Sequence, residues 1–133
     1  MTALLIISHN RIGAEMLDTA IAMLGSCPMP AVVLSVSTQD DPDILLPRAR
    51  EMLAALDQSD GAIILTDMFG STPANIARAL QRENGQVDVV AGLNLPMLVR
   101  LLNYPALTRR QLVDKALSGA HEGIFLCAAR EGG

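Results

Sequence analysis

Aromatic residues are almost missing from this chain: it has no Trp, one Tyr and two Phe in 133 residues. Its core must therefore be built from Leu, Ile, Val, Ala and Met, and a surface that stacks on nucleic-acid bases is excluded. Basic residues are also few. Ten Lys+Arg against 14 Asp+Glu give a formal net charge of −4, with no Lys/Arg block. That removes the cationic stripe by which proteins track phosphate backbones, so no nucleic-acid partner is expected. The two cysteines, Cys27 and Cys127, are far apart and lack CxxC spacing. They resemble neither a disulfide framework nor a zinc site. Cys127, inside the run Ile124-Phe125-Leu126-Cys127-Ala128, reads as a small buried hydrophobe. No apolar run is long enough to span a membrane, and no basic segment precedes a signal-like run. The expectation is a soluble, cytoplasmic protein without membrane insertion. The nucleotide loops GxGxxG and GxxxxGKS/T are absent, and nothing calls for a cofactor.

What is present is an apolar chain, 50% hydrophobic, of a length suited to one domain over residues 1–133. Short apolar runs alternate with helical patterns from end to end. Strands are expected at Ala3–Ile7, Ala31–Ser37, Gly61–Thr66, Val87–Ala91 and Gly123–Ala128. Helices are expected at Ile12–Leu24, from Asp41-Pro42 to about Asp57, from Pro73 to about Gln81, at Leu95–Leu102 and at Thr108–Leu117. Gly25 stops the first helix, and Thr108 with Gln111 forms a capping-box pattern on the last. Pro47 implies a kink or a fresh start within the second. This alternation gives an α/β fold with a parallel sheet covered on both faces.

His9 is the most telling residue. It closes the first apolar run after Ser8, and Asn10-Arg11-Ile12-Gly13 leads into a helix. That places an imidazole at the carboxyl end of a strand, where ligands bind in open α/β sheets. Histidine also has the side-chain pKa nearest neutrality, which suits proton and group transfer. A strand-end histidine serves equally well as a hydrogen-bonding cap, and position alone does not choose between the two.

Asp67 stands in the same relation to the third strand. The turn Asp67-Met68-Phe69-Gly70-Ser71-Thr72-Pro73 then crosses into a helix. Ser71 or Thr72 can cap that helix, and Pro73 suits its first turn. Free N–H groups at a helix start form an anion site. If the first and third strands are neighbours, an imidazole, a carboxylate and an anion-binding turn converge. A carboxylate on Nδ1 would leave Nε2 as the nucleophile. Read alone, the turn is simply a well-capped loop. Asn94, after the fourth strand, is a helix cap and a candidate wall of the same cleft.

Other chemistries fit less well. A Ser71/His9/Asp67 hydrolase lacks the GxSxG elbow. Metal binding by His9, Asp67 and His121 needs three remote positions to meet, and His121 reads as a solvated loop residue.

Three segments together resemble the mannose-family enzyme IIA domain of the bacterial phosphotransferase system. They are Ile6-Ile7-Ser8-His9-Asn10-Arg11-Ile12-Gly13, Leu65-Thr66-Asp67-Met68-Phe69-Gly70-Ser71-Thr72-Pro73-Ala74-Asn75 and Gly92-Leu93-Asn94-Leu95-Pro96-Met97-Leu98. The resemblance implies a phosphotransferase component that accepts a phosphoryl group on His9 from the histidine-containing phosphocarrier protein. That group would pass to a IIB partner in sugar uptake. Asp67 matches the carboxylate that orients the histidine, and Ser71 and Thr72 lie at the phosphate. The implied fold is a doubly wound, mainly parallel sheet, dimeric, with the last strand exchanged between subunits. Two positions depart from the pattern. Ser71 stands where a second glycine is usual, and Asn10 follows the histidine where glycine is frequent. A stand-alone regulatory module and a carrier feeding a dihydroxyacetone kinase are the alternative functions.

Overall fold

Ala3–His9 (β1) is apolar up to Ile7 because both of its faces are covered. Its alternate residues feed two separate cores. Leu4 and Ile6 pack with Leu17, Met97, Leu98, Leu101 and Leu112 on one side of the sheet; Leu5 and Ile7 pack with Leu45, Ala49, Ile76 and Leu80 on the other. This two-sided burial is why the strand shows no polar alternation. Leu4, Leu5, Ile6 and Ile7 are all fully buried, and each contributes roughly 1.5–3 kcal/mol by leaving water.

The computed structural model describes residues 1–129. After β1 come Ile12–Leu24 (α1), Ala31–Val36 (β2), Pro42–Ala54 (α2), Ala62–Thr66 (β3), Thr72–Glu83 (α3), Val87–Ala91 (β4), Leu95–Leu102 (α4) and Arg109–Glu122 (α5). The sheet has four parallel strands in the order β2-β1-β3-β4. Helices α1, α4 and α5 cover one face, and α2 and α3 the other. From β1 the chain steps outward to β2, then returns to the opposite side of β1 for β3. The order therefore reverses between β1 and β3, which opens a crevice at their carboxyl ends. The doubly wound α/β expectation holds.

Several local expectations change. Pro47 neither stops nor restarts α2, which runs unbroken from Pro42 to Ala54 with Asp41 capping Asp43. Pro47 deprives only the exposed first turn of a donor, at the Asp43 carbonyl. Helix α5 continues five residues beyond Leu117, so His121 lies in its last turn rather than in a loop. Gly119, inside the extension, and Gly123, its C-cap, press against Arg100 and Pro96 of α4, and any Cβ there would clash. Packing against α4 thus outweighs the low helix propensity of glycine.

The segment Gly123–Ala128 forms no strand within the described residues. A strand exists only by pairing, and this stretch meets no sheet edge in its own chain. Its side chains lie outside the core: Ile124 and Phe125 are 74% exposed and Leu126 96%. Cys127 is consequently exposed, not buried. Among the described residues, β2 and β4 are left as the open edges of the sheet. Elsewhere the helices are tied by surface pairs. Arg50 of α2 makes two hydrogen bonds to Glu83 of α3, and these hold the Glu83 carboxyl below its ordinary range.

Candidate functional site

The register of β1 on β3 pairs Ile7 with Thr66. Asp67, the residue after β3, therefore comes beside the Ser8-His9 end of β1 at the crevice. Asp67 Oδ2 lies 2.8 Å from His9 Nδ1 and also accepts the His9 backbone N–H at 3.0 Å. One carboxylate oxygen thus grips the histidine at both main chain and ring. The pairing expected from the sequence is present.

This grip has a chemical consequence. An ionised carboxylate only accepts hydrogen bonds, so in the neutral ring this contact favours the proton on Nδ1 and leaves the lone pair on Nε2. The Asp67 side chain is 12% exposed and that of His9 33%. The acid is sheltered and the ring remains accessible. Asp67 Oδ1 is buried and has no hydrogen-bond partner among the described residues. The negative charge is therefore compensated mainly at Oδ2, against the imidazole. Positive charge developing on the ring would meet a fixed counter-charge in a partly desolvated place, where such pairing is strongest.

The turn after His9 is held by two hydrogen bonds. Asn10 has φ 48, a left-handed conformation that Asn tolerates better than most residues. The Asn10 N–H donates to the Val36 carbonyl at 2.8 Å, tying the turn to β2. Ser8, which the sequence reading passed over, accepts the N–H of Gly13 at 2.9 Å.

The Asp67–Ser71 turn is built to start α3. Gly70 takes φ 80, a value a side chain would strain. Ser71 is the N-cap: its hydroxyl donates to the Met68 carbonyl at 2.6 Å and accepts the Ala74 N–H at 3.4 Å. A hydroxyl used in this way is not poised against His9, which weighs against the hydrolase reading. Pro73 has no N–H, so the first turn offers the N–H of Thr72 toward the crevice end of the helix. The Thr72 side chain is exposed and borders a cavity of about 170 Å³ between the starts of α2 and α3. Met68 and Phe69 project as an exposed apolar rim, and the Arg78 guanidinium lies 5.6 Å from the centre of the Phe69 ring.

Asn94 reaches the same edge of the sheet with its side chain already engaged. Its Oδ1 accepts the Met97 N–H at 2.9 Å, capping α4, and its Nδ2 donates to the Ala120 carbonyl of α5 at 3.3 Å. Just before it, the N–H groups of Gly92 and Leu93 both donate to the Thr66 carbonyl. The loop therefore folds over the end of β3. Among the described residues, no group of three His, Cys, Asp or Glu side chains could hold a metal ion. No helix there is long and apolar enough to cross a membrane.

Known proteins share this architecture. The EIIA-man family model, described as the fructose IIA component of the phosphotransferase system, matches residues 3–115. A mannose-specific EIIAB component from Escherichia coli is 30% identical over 132 residues, covering 96% of this chain and 40% of that protein. A fructose-specific EIIA component from Bacillus subtilis is 32% identical over 79 residues, or 59% of this chain and 54% of that protein. The chain thus spans about half or less of the length of these curated relatives. The mannose/sorbose-specific IIA subunit from Enterococcus faecalis has a TM-score of 0.84 at 22% identity, over 98% of this chain and 97% of that one. EIIA from Streptococcus agalactiae has a TM-score of 0.83 at 24% identity, over 94% and 96% of the two chains. These two structures attest the fold. The family model, spanning β1 through the first half of α5, attests more: the chain belongs to the mannose/fructose-type IIA components of the phosphotransferase system.

Proposed function

We propose that the chain is a phosphoryl carrier. It accepts a phosphoryl group on Nε2 of His9 from the histidine-containing phosphocarrier protein and hands it to a histidine of a IIB partner during sugar uptake. The observation that carries this reading is the double contact of Asp67 Oδ2 with the backbone N–H and Nδ1 of His9. In the accepting step the Nε2 lone pair attacks the phosphorus of the donor's phosphohistidine. A new N–P bond forms as the donor's N–P bond breaks, and the bonding pair returns to the donor ring. The proton on Nδ1 stays in place, and Asp67 balances the ring's positive charge. The N–H of Thr72 and the dipole of α3 provide for the phosphoryl oxygens.

The test is direct. Incubation with the phosphorylated phosphocarrier should give one acid-labile, base-stable phosphoryl group per chain. Complete absence of label under conditions that charge a known IIA component would refute the assignment.

Dimerisation through the C-terminal segment belongs to the same reading. Ile124, Phe125 and Leu126 are exposed in a single chain, while β4 presents an open edge. Pairing that segment with another subunit would cover both liabilities. Truncation before Gly123 should lose dimerisation and lower stability. A full-length chain that sediments as a monomer at tens of micromolar, roughly ten times a micromolar dissociation constant, would defeat strand exchange and leave the His9 chemistry untouched.

A further inference from the structure

Ser8 is a polar residue in a fully buried position, on β1 immediately before His9. Its hydroxyl meets a specific shortage. Asp41, Ser71, Asn94 and Thr108 each cap their own helix with a side chain. The N-cap residue of α1, Arg11, makes no such bond. The missing acceptor comes from the strand instead, because Ser8 Oγ takes the N–H of Gly13, the second residue of α1, at 2.9 Å. The approach requires glycine. A Cβ on Gly13 would lie 2.6 Å from Ser8 Oγ and 2.6 Å from Ile6 Cγ2. The two ends of this bond enclose His9, Asn10, Arg11 and Ile12, the turn that carries the imidazole.

We propose that Ser8 is a positioning residue for phosphoryl transfer at His9: its hydroxyl clamps the start of α1 to β1 and so fixes the turn that aims the ring. This role rests on the phosphoryl-carrier reading above. Asp67 holds the ring from the β3 side, and Ser8 holds the same turn from the α1 side. A single hydrogen bond is a small part of a domain's stability, so its loss leaves the fold standing. Reaction geometry is less forgiving, since a misplacement of about 1 Å can cost ~10²-fold in rate. Ser8 is buried and touches no docking partner. Its loss should therefore slow the chemical step and leave recognition of the donor unchanged.

The experiment compares Ser8→Ala and Ser8→Thr in the full chain. It measures the rate of phosphoryl transfer against the concentration of phosphorylated phosphocarrier, and amide exchange at Gly13. We expect Ser8→Ala to be about tenfold slower at saturating donor, short of the ~10²-fold loss of a 1 Å displacement, with the donor KM unchanged. Its Gly13 amide should exchange faster, and Ser8→Thr, which keeps the hydroxyl, should restore both readings. A wild-type rate in Ser8→Ala, a loss confined to KM, or a Ser8→Thr variant as slow as Ser8→Ala would each overturn the role. An unlabelled wild-type chain would overturn the carrier reading and this role with it. A labelled wild type beside an unaffected Ser8→Ala would overturn the role of Ser8 alone.

Discussion

His9→Ala should take no phosphoryl group from the phosphocarrier and should still fold. The loss is expected to be complete because the reacting atom, Nε2, is removed and no neighbouring group replaces it. Among the described residues the other imidazole is His121, exposed on the last turn of α5, without the carboxylate contact that holds His9. The fold should survive for a local reason. The His9 side chain is one-third exposed at the end of β1 and lies outside both apolar cores. Its backbone N–H keeps its bond to Asp67 Oδ2 whatever the side chain. Substitutions of that kind usually cost about 1 kcal/mol or less. Mass spectrometry of the intact protein, read beside its thermal midpoint, separates the two effects. Full acid-labile labelling of His9→Ala would remove His9 from the mechanism.

Asp67 should show the second largest effect. Removing its carboxylate strips the ring of its orientation, its tautomer and its counter-charge together. Orienting and acid–base groups of this kind are typically worth ~10²–10⁴-fold, and Asp67→Ala should slow phosphoryl acceptance within that range. It should also cost some stability, because the His9 N–H loses its acceptor, and an orphaned buried donor costs roughly 1–3 kcal/mol. Asp67→Asn divides the two roles. Its amide oxygen, standing in the place of Oδ2, can still accept both the His9 N–H and the Nδ1–H, but it carries no charge. We expect Asp67→Asn to be nearly as slow as Asp67→Ala and closer to wild type in stability. Nitrogen-15 NMR of the imidazole should show the proton kept on Nδ1 in Asp67→Asn and released from it in Asp67→Ala. Wild-type transfer rates in both variants would reduce Asp67 to a loop-closing residue.

The site shows how function and scaffold share the same atoms. Asp67 Oδ2 satisfies a backbone donor while it orients an imidazole. Ser71, expected as a phosphate ligand, spends its hydroxyl on capping α3. Asn94, expected as a cleft wall, joins α4 to α5. In both cases a polar residue near the crevice first meets the needs of a helix start, because unpaired N–H groups there are costly.

The sequence by itself determined the alternation of strand and helix, since an apolar run with both faces buried and a 3.6-residue periodicity are local patterns. It also placed His9 and Asp67 at strand ends and marked every side-chain cap that lies next to its own helix. It did not determine that β1 and β3 are neighbours. That choice depends on which edges pair across 58 residues of chain, and only the packed sheet makes it. Nor did it reveal the Ser8–Gly13 clamp, a cap borrowed from a strand, or the extension of α5 through Gly119 to its C-cap Gly123, both pressed against α4. Local propensity argued against that extension, and tertiary contact overrode it. The apolar segment Ile124–Ala128 marks the same divide. Its composition specifies a strand, but a strand is a property of a pair, and among the described residues this segment pairs with neither open edge of its own sheet.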